Sequence, residues 1–104
     1  MIIATTETVS GREIEETLGV ARGNTVRARN IGTDILAGLR NLVGGEVGEY
    51  TKLIAESREQ ALDRMIDNAR SLGADAVVSV RFTTSMVTQG AAEILVYGTA
   101  VRLG

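Results

Sequence analysis

A long amphipathic helix is the sequence feature that most constrains the fold. Residues 49–72 carry apolar side chains at helical spacing, and charged side chains occupy most of the other positions. The apolar stripe consists of Tyr50, Ile54, Ala61, Leu62, Met65, Ile66, Ala69 and Leu72. Gly73 ends the pattern, and at about 1.5 Å per residue the helix is roughly 36 Å long. Such a helix needs an apolar surface of matching length to cover its stripe.

Two strand-like stretches after the helix can supply that surface. The first is "ADAVVSVRFTTSMV" (74–87), and the second is "EILVYGTAVRL" (93–103), which follows a turn at Gly90. The apolar residues of the first stretch that share one parity are Val78, Val80, Phe82 and Met86. Strands of about twelve residues span roughly 40 Å, which matches the helix. We therefore predict an α+β two-layer fold, in which Gly98 and Ala100 let the helix approach the sheet closely.

The first third of the chain is predicted to be β structure. Residues 1–5 form a short strand, "TVSGRE" forms a turn, and residues 14–22 alternate between apolar and polar side chains like a half-buried strand. Gly23 and Asn24 tolerate positive φ, so we predict a tight hairpin turn there. A return strand then passes through Val26.

A second, shorter helix is predicted over residues 33–43. Its apolar residues recur at helical spacing, Thr33 suits the N-cap and Gly44 suits the position after the last turn. The whole fold is then an antiparallel sheet packed by one long and one short helix.

The last strand has more apolar surface than two helices can cover. Its apolar residues fall on both parities, and in a monomer one face would expose Leu95, Tyr97, Val101 and Leu103. An open apolar patch of that kind normally marks a protein interface, so we predict a symmetric homo-oligomer that uses these four residues. The alternative is that the N-terminal hairpin folds over this face.

Composition excludes several classes of function. The chain has no cysteine and no histidine, which excludes disulfides, Ser-His-Asp triads, Cys–His pairs and soft-metal sites built from thiolate or imidazole. The formal net charge is −2 and aromatic residues make up 3%, so we expect no nucleic-acid binding. The sequence shows no apolar run long enough to span a membrane and no signal peptide, and the expected location is the cytoplasm.

The glycine-rich stretch "NLVGGEVGEY" (41–50) resembles a ligand loop but lacks the required pattern. A phosphate-binding loop needs a preceding strand and a Lys-Ser/Thr pair, and glutamates would repel phosphate. We expect a turn between the two helices, with a small-ligand or cation site around Glu46 as the alternative.

Two further pairs of charged residues have structural and functional interpretations. Glu13 and Glu15 lie two apart on one face of a strand and could form an acid/base or cation site, although solvated strand edges show the same pattern. Arg27 and Arg29 could hold an anion, but an ion pair between subunits is the more frequent outcome. No catalytic residue is predicted.

The assembled pattern resembles the YbjQ-like family over nearly the whole chain. The segments that carry the resemblance are "TTETVSGREI", "GVARGNTVRARNIGTDILAGLRNLVGGEVGEYTKLI", "SLGADAVVSVRF" and "VYGTAV". The resemblance implies a single domain over residues 1–104, a dodecin-subunit-like fold and a ring-forming oligomer, with a pentamer as the expected form. The family is also labelled a heavy-metal-binding domain, but without Cys and His we expect no metal site and no cofactor.

Besides a metal-binding protein, which the lack of Cys and His disfavours, two hypotheses of function follow from the sequence. The first is a homo-oligomeric, non-enzymatic binding or scaffold protein. The second is a small-ligand-binding protein or enzyme with a site at a subunit boundary. Its candidate residues lie in the segment that identifies the family: Asp34, Arg40, Glu46 and Tyr50.

Overall fold

A computed structural model describes residues 1–27, 48–88 and 91–104 of the chain. Within those ranges there are four strands and one helix, in the order β1, β2, α1, β3, β4. Their bounds are Ile2–Ile3 for β1, Ile14–Arg27 for β2, Gly48–Ser71 for α1, Ala76–Thr88 for β3 and Ala91–Leu103 for β4. The predicted short helix 33–43 and the turn at Gly90 lie outside the described residues.

The strands form one sheet in the order β1-β3-β4-β2. The three long strands pair with one another in antiparallel orientation, as predicted, and β4 lies between β3 and β2. The short strand β1 pairs with β3 in parallel, through Ile2 with Ala76 and Ile3 with Val77. The sheet is therefore mixed, and the prediction of a purely antiparallel sheet was wrong for this one strand.

The long helix agrees with its prediction within one residue at each end. Three small or flexible residues of the stripe, Ala61, Met65 and Ala69, are fully buried against the sheet. Gly73 has φ +81°, its N–H donates to the Arg70 carbonyl, and the N–H of Ala74 donates to the Ala69 carbonyl. These two bonds form a Schellman cap, which confirms Gly73 as the residue that ends the helix.

The predicted hairpin turn at Gly23 and Asn24 is wrong, because β2 is a single continuous strand through this point. Gly23 instead allows the helix to pack closely against β2. A Cβ atom at this position would lie 2.2 Å from the carbonyl oxygen of Ala61 and 2.3 Å from the backbone nitrogen of Met65. Glycine is required because the helix backbone rests directly on the strand backbone.

A bulge in β3 changes which residues share a face. Ser79 has φ +54°, and the register with β4 shifts between Val78 and Arg81. Val80 therefore faces the helix together with Val77, whereas Val78 faces the other side. The predicted alternation, with Val78 and Val80 on one face, was wrong.

Gly98 lies opposite this bulge. A Cβ there would be 2.6 Å from Cγ1 of Val77 and 2.8 Å from the carbonyl oxygen of Val78. Gly98 thus makes room for β3 rather than for the helix, so its predicted role was wrong. Ala100 does lie in the cluster beneath the helix, fully buried.

The N-terminal segment covers half of the sheet face opposite the helix. Val9 and Ile14 pack there against a second buried cluster, which comprises Ala76, Val78, Val101 and Leu103. Val101 is 1% exposed and Leu103 is 6% exposed. The expectation that a monomer would expose these two residues was therefore wrong. The alternative of an N-terminal cover applies to this half, although the cover is an extended segment with a turn at 9–12 rather than a hairpin.

Helix side chains close part of the outer edge of β2. The N–H of Arg22 donates to Oδ1 of Asn68 at 2.9 Å, and Nη1 of Arg64 donates to the carbonyl oxygen of Asn24 at 2.7 Å. An unpaired strand edge can pair with other chains, so these bonds protect the edge as well as fixing the helix over it.

We expect Asn68→Ala to lower the free energy of unfolding by about 1 kcal/mol, since it removes the acceptor for the Arg22 N–H. Asn68→Asp is the matched control, because its carboxylate keeps an oxygen acceptor at the same place. Urea denaturation measures both. Equal losses in the two variants would show that this hydrogen bond does not stabilise the edge.

Candidate functional site

The other half of the sheet face opposite the helix is open in the single chain. Its side chains form three rows across β2, β4 and β3, because residues that oppose each other in an antiparallel ladder share a face. The rows are Arg22–Tyr97–Arg81, Asn24–Leu95–Thr83 and Val26–Glu93–Ser85. We call this surface, together with Val20 beside the first row, the open face.

The open face exposes apolar side chains. Val20 is 63% exposed, Val26 is 52% exposed and Tyr97 is 41% exposed, while Leu95 is half-buried. On the helix side of β3, Phe82 and Met86 are also exposed. The exposed apolar residues of the open face are typical of a surface that contacts another protein.

Two arginines flank Tyr97 on the open face. Arg81 is held in place, because its Nη1 donates to the carbonyl oxygens of Thr5 (3.0 Å) and Val80 (2.8 Å). The Arg22 guanidinium has no hydrogen-bond or ion-pair partner within the described part of the chain. Tyrosine and arginine are the residue types most enriched where interfaces bind strongly.

A cavity of about 490 Å³ lies beside the open face at the edge of β2. Its lining comes from β2, from β4 and from the helix: Arg22, Gly23, Asn24, Asn68, Glu93 and Leu95. Nδ2 of Asn24 donates to Oε2 of Glu93 at 3.0 Å, which fixes both side chains at one end. Cation, carboxylate and amide groups thus converge around one half-buried apolar residue.

The four residues predicted at the oligomer interface share one face of β4, but their exposure differs. Leu95 and Tyr97 lie on the open face, whereas Val101 and Leu103 lie beneath the N-terminal segment. An interface in these places is still a prediction for the first pair. For Val101 and Leu103 the interface was predicted because a monomer would expose them, and this reason no longer holds.

The four candidate ligand residues belong to the segment that identifies the family. Asp34, Arg40 and Glu46 lie outside the described residues, and so does the side chain of Tyr50. The same is true of Arg29 and of the side chain of Arg27. These sites remain predictions from the sequence.

The carboxylates near the start of β2 are exposed. Glu16 forms an ion pair with Arg102 across the β2–β4 ladder, and Glu13 accepts the N–H of Gly104 through its backbone carbonyl. Across residues 1–27, 48–88 and 91–104, no three side chains of Asp, Glu, His or Cys form a group that could hold a metal ion. The position of Glu13 and Glu15 is the solvated strand edge that the sequence also allowed.

The described helix and strands define a small α+β protein with a four-stranded mixed sheet and a helix on one face. Residues 1–104 match the model of a family described as "Putative heavy-metal-binding". The chain belongs to this family, which is the YbjQ-like family that its sequence resembles.

Its relatives are similar along their whole length. The chain is 64% identical to a "UPF0145 protein" of Archaeoglobus fulgidus, over 99% of this chain and 95% of the relative. It is 60% identical to a "UPF0145 protein" of Methanosarcina acetivorans, over 99% and 97% of the two chains. A crystal structure of a protein with unknown function from Pediococcus pentosaceus matches with a TM-score of 0.65 and 16% identity, over 100% of this chain and 98% of that one. This last likeness supports the fold alone.

The residues of this chain do not fit the soft metal that the family description implies. Thiolate and imidazole, the usual ligands, are missing from the whole sequence. Met65 is fully buried in the core, and Met86 lies on the exposed part of β3, so the thioethers of these two residues are not gathered in one site.

The described residues contain no helix that is both long enough and apolar enough to cross a bilayer.

Sequence reasoning missed the cavity. Its polar side chains come from positions 22, 24, 68 and 93, which no local motif connects. The available signal was Asn68, one of two amide residues on a helix otherwise rich in charged residues.

Proposed function

We propose that this chain is the subunit of a homo-oligomeric ring and acts as a non-enzymatic binding or scaffold protein. The observation that carries the proposal is the exposed apolar surface of the open face, above all Val20, Tyr97 and Val26. The family resemblance adds the expected number of subunits, five.

The energetics favour association through this surface. Burial of apolar surface contributes about 25 cal/mol per Å² to the free energy of association. Val20 and Tyr97 are large side chains, so each contributes appreciably when a second copy covers it. A ring requires two different surfaces that meet head to tail. Phe82 and Met86, exposed on the other side of the sheet, offer a second apolar surface on the same subunit.

Val20→Glu and Tyr97→Glu are the variants that test the proposed interface. Each places a carboxylate within the proposed contact, and we expect the self-association constant to fall at least about tenfold, a change of about 1.4 kcal/mol. Analytical ultracentrifugation over a dilution series measures this. The circular dichroism spectrum of each variant should match that of the wild type, since both side chains are exposed in the single chain.

Leu72→Glu is the matched control, because Leu72 is an exposed apolar residue at the end of the helix, outside the open face. It should leave self-association unchanged. If both open-face variants associate as strongly as the wild type and the Leu72→Glu control, another surface must form the contact.

A further inference from the structure

The cavity beside β2 gathers charged and amide side chains, whereas the proposed contact between subunits rests above all on the apolar Val20, Tyr97 and Val26. Three of its polar side chains, those of Asn68, Asn24 and Glu93, are held in fixed orientations by hydrogen bonds. Those bonds determine which atoms of Asn68 and Asn24 remain available to a ligand.

Asn68 offers a donor. Its Oδ1 accepts the N–H of Arg22 at 2.9 Å, and only an oxygen can accept from a backbone N–H, so the assignment of the amide is fixed. Nδ2 of Asn68, which carries two hydrogens, is left to donate. It lies in the lining with the Arg22 guanidinium, a group with five donors and a permanent positive charge.

Asn24 and Glu93 offer acceptors. The carboxylate of Glu93 accepts from Nδ2 of Asn24, which fixes the orientation of this second amide. Oδ1 of Asn24 and Oε1 of Glu93 then remain as acceptors. Neither Arg22 nor Glu93 takes part in an ion pair among the described residues, so each charge is available.

The carboxylate of Glu93 extends along the sheet toward Arg22. Glu93 opposes Val26 in the ladder, and Val26 is four residues from Arg22 along β2, about 13 Å between Cα atoms at 3.3 Å per residue. The Glu93 carboxylate accepts a hydrogen bond from Asn24, which lies between Arg22 and Val26 along β2, so within the shared lining it reaches toward Arg22. Leu95, half-buried, lies between the two rows and supplies an apolar contact.

We propose that this cavity binds a small zwitterion of the α-amino-acid type. The ligand carboxylate accepts from the guanidinium of Arg22 and from Nδ2 of Asn68, and the ligand ammonium donates to Glu93 and to Oδ1 of Asn24. The apolar part of the ligand packs on Leu95. A volume of about 490 Å³ falls within the range of small-molecule sites.

A zwitterion fits better than an ion of a single charge. An anion would pair with Arg22 but lie close to Glu93, and a cation would face the opposite problem. A ligand with both charges satisfies both ends through charge-assisted hydrogen bonds, which are about twice as strong as neutral ones.

The test is titration of the purified wild-type protein with each of the standard L-amino acids, by calorimetry and by NMR chemical-shift mapping. We expect at least one to bind with Kd below about 1 mM. Its N-acetyl derivative lacks the ammonium group, and the corresponding amine lacks the carboxylate. Both should bind at least about tenfold more weakly, because each loses one charged pair.

Two variants connect that selectivity to named residues. Arg22→Gln and Glu93→Gln should each weaken binding of the amino acid at least about tenfold. Arg22→Gln should also remove the preference for the amino acid over the amine, and Glu93→Gln the preference over the N-acetyl derivative. A purely structural role for these side chains would not produce this reciprocal pattern.

Arg58→Gln and Glu59→Gln are the matched controls, since both residues are exposed on the helix outside the cavity lining. They should bind like the wild type. The proposal is wrong if no amino acid binds, if the N-acetyl derivative binds equally well, or if the controls weaken binding as much as the cavity variants.

Measuring the mass of each variant by light scattering keeps this proposal separate from the proposed assembly. The cavity is lined by one chain, so a monomeric protein should still bind the ligand. If Arg22→Gln and Glu93→Gln lower the mass and no amino acid binds, side chains of a second copy occupy the cavity and the ligand proposal is wrong.

Discussion

Gly23→Ala is expected to lower the free energy of unfolding by about 3 kcal/mol or more. The added methyl group would lie 2.2 Å from the carbonyl oxygen of Ala61, 2.3 Å from the nitrogen of Met65 and 2.8 Å from the carbonyl carbon of Arg64. All three are backbone atoms of the helix. No change of rotamer can relieve the contact, so the helix must move away from β2.

That movement would disturb more than one contact. Thr25, two residues further along β2, donates through its hydroxyl to the carbonyl oxygen of Ser57 at 3.3 Å in a buried position. The hydrogen bonds from the side chains of Asn68 and Arg64 to the backbone of β2 also require the helix to lie this close to the strand. We therefore expect the loss to exceed that of an ordinary glycine-to-alanine substitution in a strand.

Gly104→Ala is the matched control for this prediction. Its added Cβ would meet Oε1 of Glu15 at 2.7 Å, but a glutamate carboxylate on the surface can rotate away. Urea denaturation should show a loss near zero for Gly104→Ala and a large loss for Gly23→Ala. Similar small losses in both variants would mean that the helix does not rest on the strand backbone at Gly23.

Val101→Asp is the second substitution with a large expected effect, a loss of at least about 3 kcal/mol of folding free energy. Val101 is 1% exposed, and its neighbours in the second cluster are apolar. The N–H of Asp75 donates to the Val101 carbonyl, so a second carboxyl residue would lie near the new charge. We expect this variant to be largely unfolded, as measured by circular dichroism and thermal denaturation.

Tyr97→Asp provides the comparison, because Tyr97 lies on the same strand and the same face, but is exposed. It should fold normally. A Val101→Asp chain that folds like the wild type but no longer self-associates would reverse our assignment. Val101 would then be an interface residue, as the sequence alone suggested, and the N-terminal segment would not cover it.

The regular elements were predictable from periodicity. The helix stripe repeats over six turns, so an error of one residue at either end does not change the assignment, and Gly73 supplies a distinct stop signal. The strands β3 and β4 are bounded by turn residues and are long enough for their composition to identify them.

Gly23 shows why other features were not predictable. A glycine followed by asparagine is equally suited to a tight turn and to a strand that a helix backbone approaches closely. The difference lies in the position of α1, which begins 25 residues later in the chain. Ser79 presents a similar case, since the bulge that reverses the face of β3 occurs at a residue without a strong preference for positive φ.

The candidate site was only partly accessible from sequence for the same reason. The sequence shows apolar residues on both faces of β4. Which half of the exposed face the N-terminal segment covers depends on the packing of Val9 and Ile14. The cavity depends on the register between β2 and β4 and on the reach of Asn68 from the helix. Such long-range juxtapositions leave no local pattern.

Self-association is the central claim, and the molar mass of the wild-type protein tests it most directly. Light scattering coupled to size-exclusion chromatography at micromolar concentration should give a multiple of the 11.0 kDa chain mass, and five copies of 11.0 kDa make about 55 kDa. A single species of 11.0 kDa that persists over the whole concentration range would contradict the claim.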